Sequence, residues 1–154
     1  MPYSTGVHIF KRGEEYHCFG HLLFTKICII LGVVVTGGYN GSSIASTELF
    51  LPSTGKTCPL QEGIARYGHT LDQLGDGTLL ACGGYGGADK MCHQFVPSLP
   101  YGTWTMSATL RNSRWYHTSF STGGKVLLLG GSGSYTTAEV VGSDKSFNLQ
   151  QETT

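Results

Sequence analysis

Apolar and polar residues alternate in short runs along most of the chain, and each run stops at a glycine pair, an Asp-Gly or a proline-containing turn. The period is two, as expected for half-buried strands, and no stretch of ten or more residues carries an apolar stripe at the helical period. The longest apolar run, Leu22 to Val35 (LLFTKICIILGVVV), covers 14 residues and contains Lys26. A helix needs roughly 20 apolar residues to cross a bilayer, so no membrane span is expected. The second half, ICIILGVVV, is rich in β-branched residues and leads straight into Thr36-Gly37-Gly38. It reads as a buried strand; an internal hydrophobic anchor or signal core is the rival reading.

The runs repeat. A diglycine follows an apolar run three times, at Gly37-Gly38, Gly83-Gly84 and Gly130-Gly131, so the first glycines stand 46 and 47 residues apart. Upstream of the second and third pairs lie RYGHTL (Arg66 to Leu71) and RWYHTSF (Arg114 to Phe120), each with Arg and His three apart and Thr after the His. Downstream come Thr47-Glu48-Leu49-Phe50, Cys92-His93-Gln94-Phe95 and Ala138-Glu139-Val140-Val141, then a turn and a last short run. Three features recurring in one order at a constant period mark a repeat architecture. Each unit resolves into four strands. In the middle unit they run near His69 to Leu74, Leu79 to Cys82, Met91 to Val96 and Thr103 to Ser107, with Asp76-Gly77 turning the first hairpin. In the third they run near His117 to Ser121, Val126 to Leu129, Thr137 to Val141 and Ser146 to Gln150.

With their glycine pairs, Arg/His pairs and Trp104 in the last strand of the middle unit, these units resemble kelch repeats. The resemblance covers roughly residues 30–150 and implies an all-β fold of kelch-type propeller blades, four antiparallel strands to a blade. Residues 1–29 read as a divergent N-terminal segment or an eroded blade strand, with Tyr16-His17 a weakened counterpart of Tyr116-His117. About three blades fit in the chain, whereas propellers have four to eight. An incomplete, open arc is therefore expected, read first as a fragment of a larger propeller. The alternatives are two chains self-associating to close one ring and an arc that persists alone.

Composition narrows the function. Ten Lys and Arg balance ten Asp and Glu, and charged residues are only 13% of the chain against about 25% ordinarily. Such a chain lacks the field that attracts nucleic acid or an anionic membrane surface. Glycine numbers 23 and tyrosine 8, which fits a turn-rich β protein. GYGG at residues 84–87 and GGSGS at residues 130–134 lack the Lys-Ser/Thr and the following helix of a phosphate loop, so they read as hairpin connections. No catalytic residue, metal site or cofactor is expected: the histidines are scattered and no Ser-His-Asp set emerges. Nor can the crosslinked Cys and Tyr of copper-radical propeller oxidases be placed here.

Several residues stand out. Arg66, His69, Arg114 and His117 recur at equivalent places, which points to a structural role: hydrogen-bonding neighbouring backbone and fixing one unit on the next. An anion or ligand site is the alternative. Cys82 and Cys92 bracket the turn GGYGGADKM and would face each other across a hairpin, as a disulfide or as two buried thiols. Cys58 has no evident partner. The run LPSTGKTC followed by CGG and a further Cys resembles extracellular kelch-like propellers of invertebrates, which favours a secreted or extracellular setting over a cytoplasmic one. Asn40-Gly41-Ser42 is a glycosylation acceptor or simply a turn. Kelch-like proteins commonly bind protein partners through loops, and Tyr39, Asn40, Tyr85, Asp89, Tyr101 and Tyr135 fall on predicted turns. The expected function is a non-catalytic interaction module with an unidentified protein partner. A truncated product without activity, or a piece of an oxidoreductase or carbohydrate-active propeller, are the alternatives.

Overall fold

The structure, a computed structural model, describes residues 6–12, 30–98, 101–122 and 124–142. These residues form strands, turns and irregular connections without a helix. Strands β1 (Gly6–Arg12), β2 (Ile30–Thr36), β3 (Thr47–Leu51) and β4 (Lys56–Pro59) make a first sheet in the order β1-β2-β3-β4. Strands β5 (Thr70–Gln73), β6 (Leu79–Cys82), β7 (Met91–Val96) and β8 (Thr103–Thr109) make a second in the order β5-β6-β7-β8. Strands β9 (Thr118–Thr122), β10 (Lys125–Leu129) and β11 (Ala138–Gly142) make a third in the order β11-β10-β9. Every pairing is antiparallel between neighbours in sequence. The strand expected at Ser146 to Gln150 lies outside the described residues, as do Tyr16-His17 and most of the run from Leu22.

The turns explain where strands stop. At Asp76-Gly77 the Asp76 carboxylate accepts from the Thr78 amide (3.0 Å) and hydroxyl (2.6 Å), while Gly77 takes a φ of 87°. These hydrogen bonds to the charged form hold the Asp76 pKa below its ordinary value. Strand β1 was not singled out as a strand by pattern. It falls within residues 1–29 and pairs with β2 over seven positions, Gly6 opposite Thr36 and Arg12 opposite Ile30.

Alternation along the strands sends side chains to both faces of a sheet, and the core accordingly lies between sheets. Leu79 and Phe95 of the second sheet join Val34, Leu49, Leu51 and Cys58 of the first. Leu80, Cys82 and Cys92 face the other way and join Val126, Leu128 and Val141 of the third. Strand β6, buried along its whole length, therefore serves two interfaces at once. Cys82 pairs directly with Cys92 in the β6–β7 register and the two form a disulfide, with Cα atoms 4.1 Å apart. Cys58 is disulfide-bonded too, which corrects the expectation that it lacks a partner. Trp104, in the last strand of the second sheet, packs against the core shared with the first. Its ring lies 5.1 Å from that of Phe95, and its indole N–H reaches the Thr47 hydroxyl (3.3 Å) and the Gln61 carbonyl (3.1 Å). Among the described residues no helix is long and apolar enough to cross a membrane.

Candidate functional site

Among the described residues, the segments that enter the first strands of the second and third sheets carry the two buried arginines, Arg66 and Arg114. Before β5, the Arg66 amide donates to Ile44 O (3.1 Å) and its carbonyl accepts from Gly38 N–H (2.8 Å), both in the β2–β3 connection of the first sheet. The side chain points into the second sheet instead. Its guanidinium donates to the carbonyls of Ala81 (3.2 Å), Gly83 (3.1 Å) and Met91 (3.3 Å), and to His93 Nδ1 at 2.6 Å. Arg66 thus fastens one sheet by its backbone and the next by its side chain. His93 must hold its proton on Nε2 to accept at Nδ1, and burial with the nearby Arg66 charge keeps its pKa below the ordinary value. Burial lowers Arg66 itself to about 10, which leaves it charged at neutral pH.

Arg114 repeats the arrangement one unit later. Its backbone joins the second sheet, accepting from Gly84 N–H (2.9 Å) and donating to Asp89 O (2.9 Å). Its guanidinium reaches Gly130 O (3.0 Å), Thr137 Oγ1 (3.2 Å) and Glu139 Oε1 (2.6 Å) in the third sheet. The last contact is a buried ion pair, and Glu139 also accepts from the amides of Arg111 (2.8 Å) and Asn112 (3.2 Å). A carboxylate taken out of water needs such saturation of its lone pairs.

The histidines act differently from the arginines, which corrects the expectation that both members of each pair hydrogen-bond backbone. Both ring nitrogens of His69 are buried without a hydrogen-bond partner, and only Nε2 of His117 has one, the Thr70 hydroxyl at 3.0 Å. Their rings pack under glycines. A Cβ on Gly37 (φ 66°) would come within 2.9 Å of His69 Cε1, and one on Gly83 (φ 62°) within 2.8 Å of His117 Cε1. Burial, with the Arg66 and His117 charges, lowers His69 to about 3; burial with Arg114 lowers His117 to about 4. Both are neutral wedges.

At the same end of the sheets the loops display aromatic rings. Tyr39 lies 5.0 Å from Tyr67, Tyr67 5.4 Å from Tyr85, and Tyr85 5.6 Å from Trp115, so four rings run in contact across all three units. Tyr116 joins at 6.2 Å from Tyr67. It has a φ of 53°, positive where other described non-glycine residues are negative, and it stands where the earlier unit has Gly68 (φ 65°). Its amide donates to Gly68 O (2.7 Å), and its ring covers Gly68 closely enough to meet a Cβ there at 2.9 Å. A tyrosine held in this region costs roughly 1–3 kcal/mol and suggests a use for the exposed ring. Of the predicted loop residues, Tyr39 and Tyr85 belong to this chain of rings and Tyr135 is exposed on the β10–β11 connection at the same end. Asp89 serves through its carbonyl, and Asn40 is exposed in a turn with its amide on Ser42 O (3.2 Å). Tyr101 sits in the β7–β8 turn, at the opposite end. Tyr67, Trp115 and Tyr116 were missed, although RYGHT and RWYHT display them, because those motifs were read for Arg and His alone.

No family model and no curated protein matches the chain.

Proposed function

We propose that the chain is a non-catalytic protein-interaction module built of kelch-type propeller blades, binding its partner through the aromatic loop surface of Tyr39, Tyr67, Tyr85, Trp115 and Tyr116. The observation that carries this reading is the continuous chain of rings, with Tyr85 and Tyr116 half exposed. Exposed tyrosine and tryptophan supply large contact area with little conformational freedom to lose, and they anchor many interfaces. The buried polar groups, by contrast, are used to join sheets. The repeated diglycine and Arg-x-x-His pattern, each unit a sheet of neighbouring antiparallel strands, supports the kelch reading. The Cys82–Cys92 disulfide favours an oxidising, extracellular setting.

Affinity capture from the native source with the wild-type chain and a Tyr39→Ala, Tyr85→Ala double variant of unchanged Tm tests this. A partner held by the wild type and lost by the variant supports the loop surface. Identical capture by both overturns it.

A further inference from the structure

Asn40-Gly41-Ser42 tops the connection between β2 and β3. Asn-Gly is favoured in the tightest hairpins because a type I′ turn holds both central residues at positive φ. Here Gly41 takes such an angle (φ 106°) and Asn40 does not, so the turn gives no reason for an asparagine. Among the described residues the Asn40 carboxamide and the Ser42 hydroxyl make no hydrogen bond; the two residues meet only through the Asn40 amide and the Ser42 carbonyl, at 3.2 Å. Both are exposed, and a Cβ on Gly41 would meet nothing within 4 Å. The tip stands in open solvent, its polar side chains unused by the fold.

The base of the same loop is fixed. Tyr39 and Ser43 face each other in an antiparallel bridge, Ile44 N–H donates to Gly38 O (3.0 Å), and the Ser43 hydroxyl lies 3.5 Å from Tyr85 O in the next unit. A Cβ on Gly86 would run into Ser43 Oγ, so the two loops are in close contact. Whatever Asn40 carries is therefore held beside Tyr39, the first ring of the aromatic row.

We propose that Asn40 carries an N-linked glycan and that this glycan shields the Tyr39 end of the aromatic row. Asn-x-Ser with x other than proline is the acceptor signature. The Cys82–Cys92 disulfide and the disulfide at Cys58 fit an oxidising secretory compartment, where the donor is a lipid-linked oligosaccharide. In the transfer Asn40 Nδ2 attacks C1 of the first sugar and the N–C1 bond forms. The bond from C1 to the lipid diphosphate breaks, its electron pair leaves with the diphosphate, and one amide proton passes to the transferase. A hydrated saccharide is bulky. Rooted one residue from Tyr39, it competes with a partner for that ring, while Trp115 and Tyr116 in the third unit stay open. The glycosylated chain thus presents a shorter row than the unmodified one. The modification rests on the extracellular setting proposed above, and its effect on partner binding rests on the proposed surface; the shielding of Tyr39 needs no partner.

The test uses the full chain from its native source. Peptide-N-glycosidase in heavy-oxygen water should convert Asn40 to labelled aspartate, and only when the enzyme is present, as read by mass spectrometry. Nitration of the intact and the deglycosylated protein, followed by peptide mapping, should then modify Tyr39 several-fold faster once the glycan is gone. Tyr101, more exposed than Tyr39 (57% against 42%) and at the opposite end, should react at one rate in both. Ser42→Ala should abolish the glycan and match the deglycosylated protein, whereas Ser42→Thr should keep both the glycan and the protection. An unmodified Asn40, or a glycosylated Asn40 with Tyr39 reacting equally before and after removal, would overturn the proposal. A glycan that protects Tyr39 in a chain that captures no partner would support it and sink the interaction surface alone.

Discussion

The second and third sheets present the same face to different surroundings. On the second, Leu80 and Cys82 point toward the third sheet and are buried, Cys82 to 0% exposure. On the third, the residues at the same distances from the diglycine are Leu127 and Leu129, and Leu129 is 40% exposed beside Phe120 at 63%. The residue types on the two faces are alike. What differs is whether an Arg-x-x-His segment and a following sheet close over them. Burial here is a property of the neighbour, so one kind of leucine is core in one unit and surface in the next.

The largest effect should come from the ion pair that closes the covered face. Arg114→Met leaves Glu139 buried without its cation and should lower stability by about 3–5 kcal/mol, read as the urea midpoint. Arg114→Met with Glu139→Met should recover much of that loss. Next, Leu80→Ala should cost about 2–5 kcal/mol, whereas Leu127→Ala on the bare face should cost far less; equal losses would break the comparison. Glycines sharpen it further. At Gly83 an added Cβ meets the Arg114 carbonyl and His117, while at Gly130 (φ 59°) the nearest atom is Tyr135 O at 3.3 Å. Gly83→Ala should therefore cost more than Gly130→Ala, which bears mainly the backbone strain of about 1–2 kcal/mol.

Acid should act on the covered interfaces. His69 and His117 have folded pKa values of about 3 and 4, below the ordinary 6.5, so the unfolded chain binds more protons in between. Stability is then fully present above about pH 6.5 and falls as pH drops toward 4, by about 1 kcal/mol per histidine at pH 5.5. His117→Gln should flatten part of that slope in a series of thermal melts. The smallest effect belongs to the bare face: Leu129→Lys should leave the midpoint within about 0.5 kcal/mol and reduce binding of a hydrophobic dye.

Much of this was legible in the residues. Strands β6 and β7 begin and end where their patterns place them, because Asp76-Gly77 and the diglycines are local devices whose geometry does not depend on distant contacts. Recurrence pointed Arg66 and Arg114 to hydrogen-bonding neighbouring backbone, and their guanidiniums do reach backbone carbonyls. Three things were hidden. That His93 and Glu139, aligned in the repeats, each receive an arginine was one, because unlike side chains conceal a shared role. The place of β1 as the first strand of its sheet was hidden by the long interval before β2. The aromatic chain needs residues from entry segments and hairpins of different units, a proximity set by stacking of sheets.

The fastening by Arg66 and Arg114 bears on how such a chain can lengthen. Each stretch of some 46 to 48 residues, beginning at its arginine, contains both a plug, the Arg-x-x-His segment that grips the sheet before it, and a socket, the diglycine that admits the plug of the sheet after it. A tandem duplication of that stretch would arrive with both halves of its joint already matched to the existing ones. The gene can gain or lose whole units without a compensating change elsewhere, and substitutions at the joints are free to drift only in pairs.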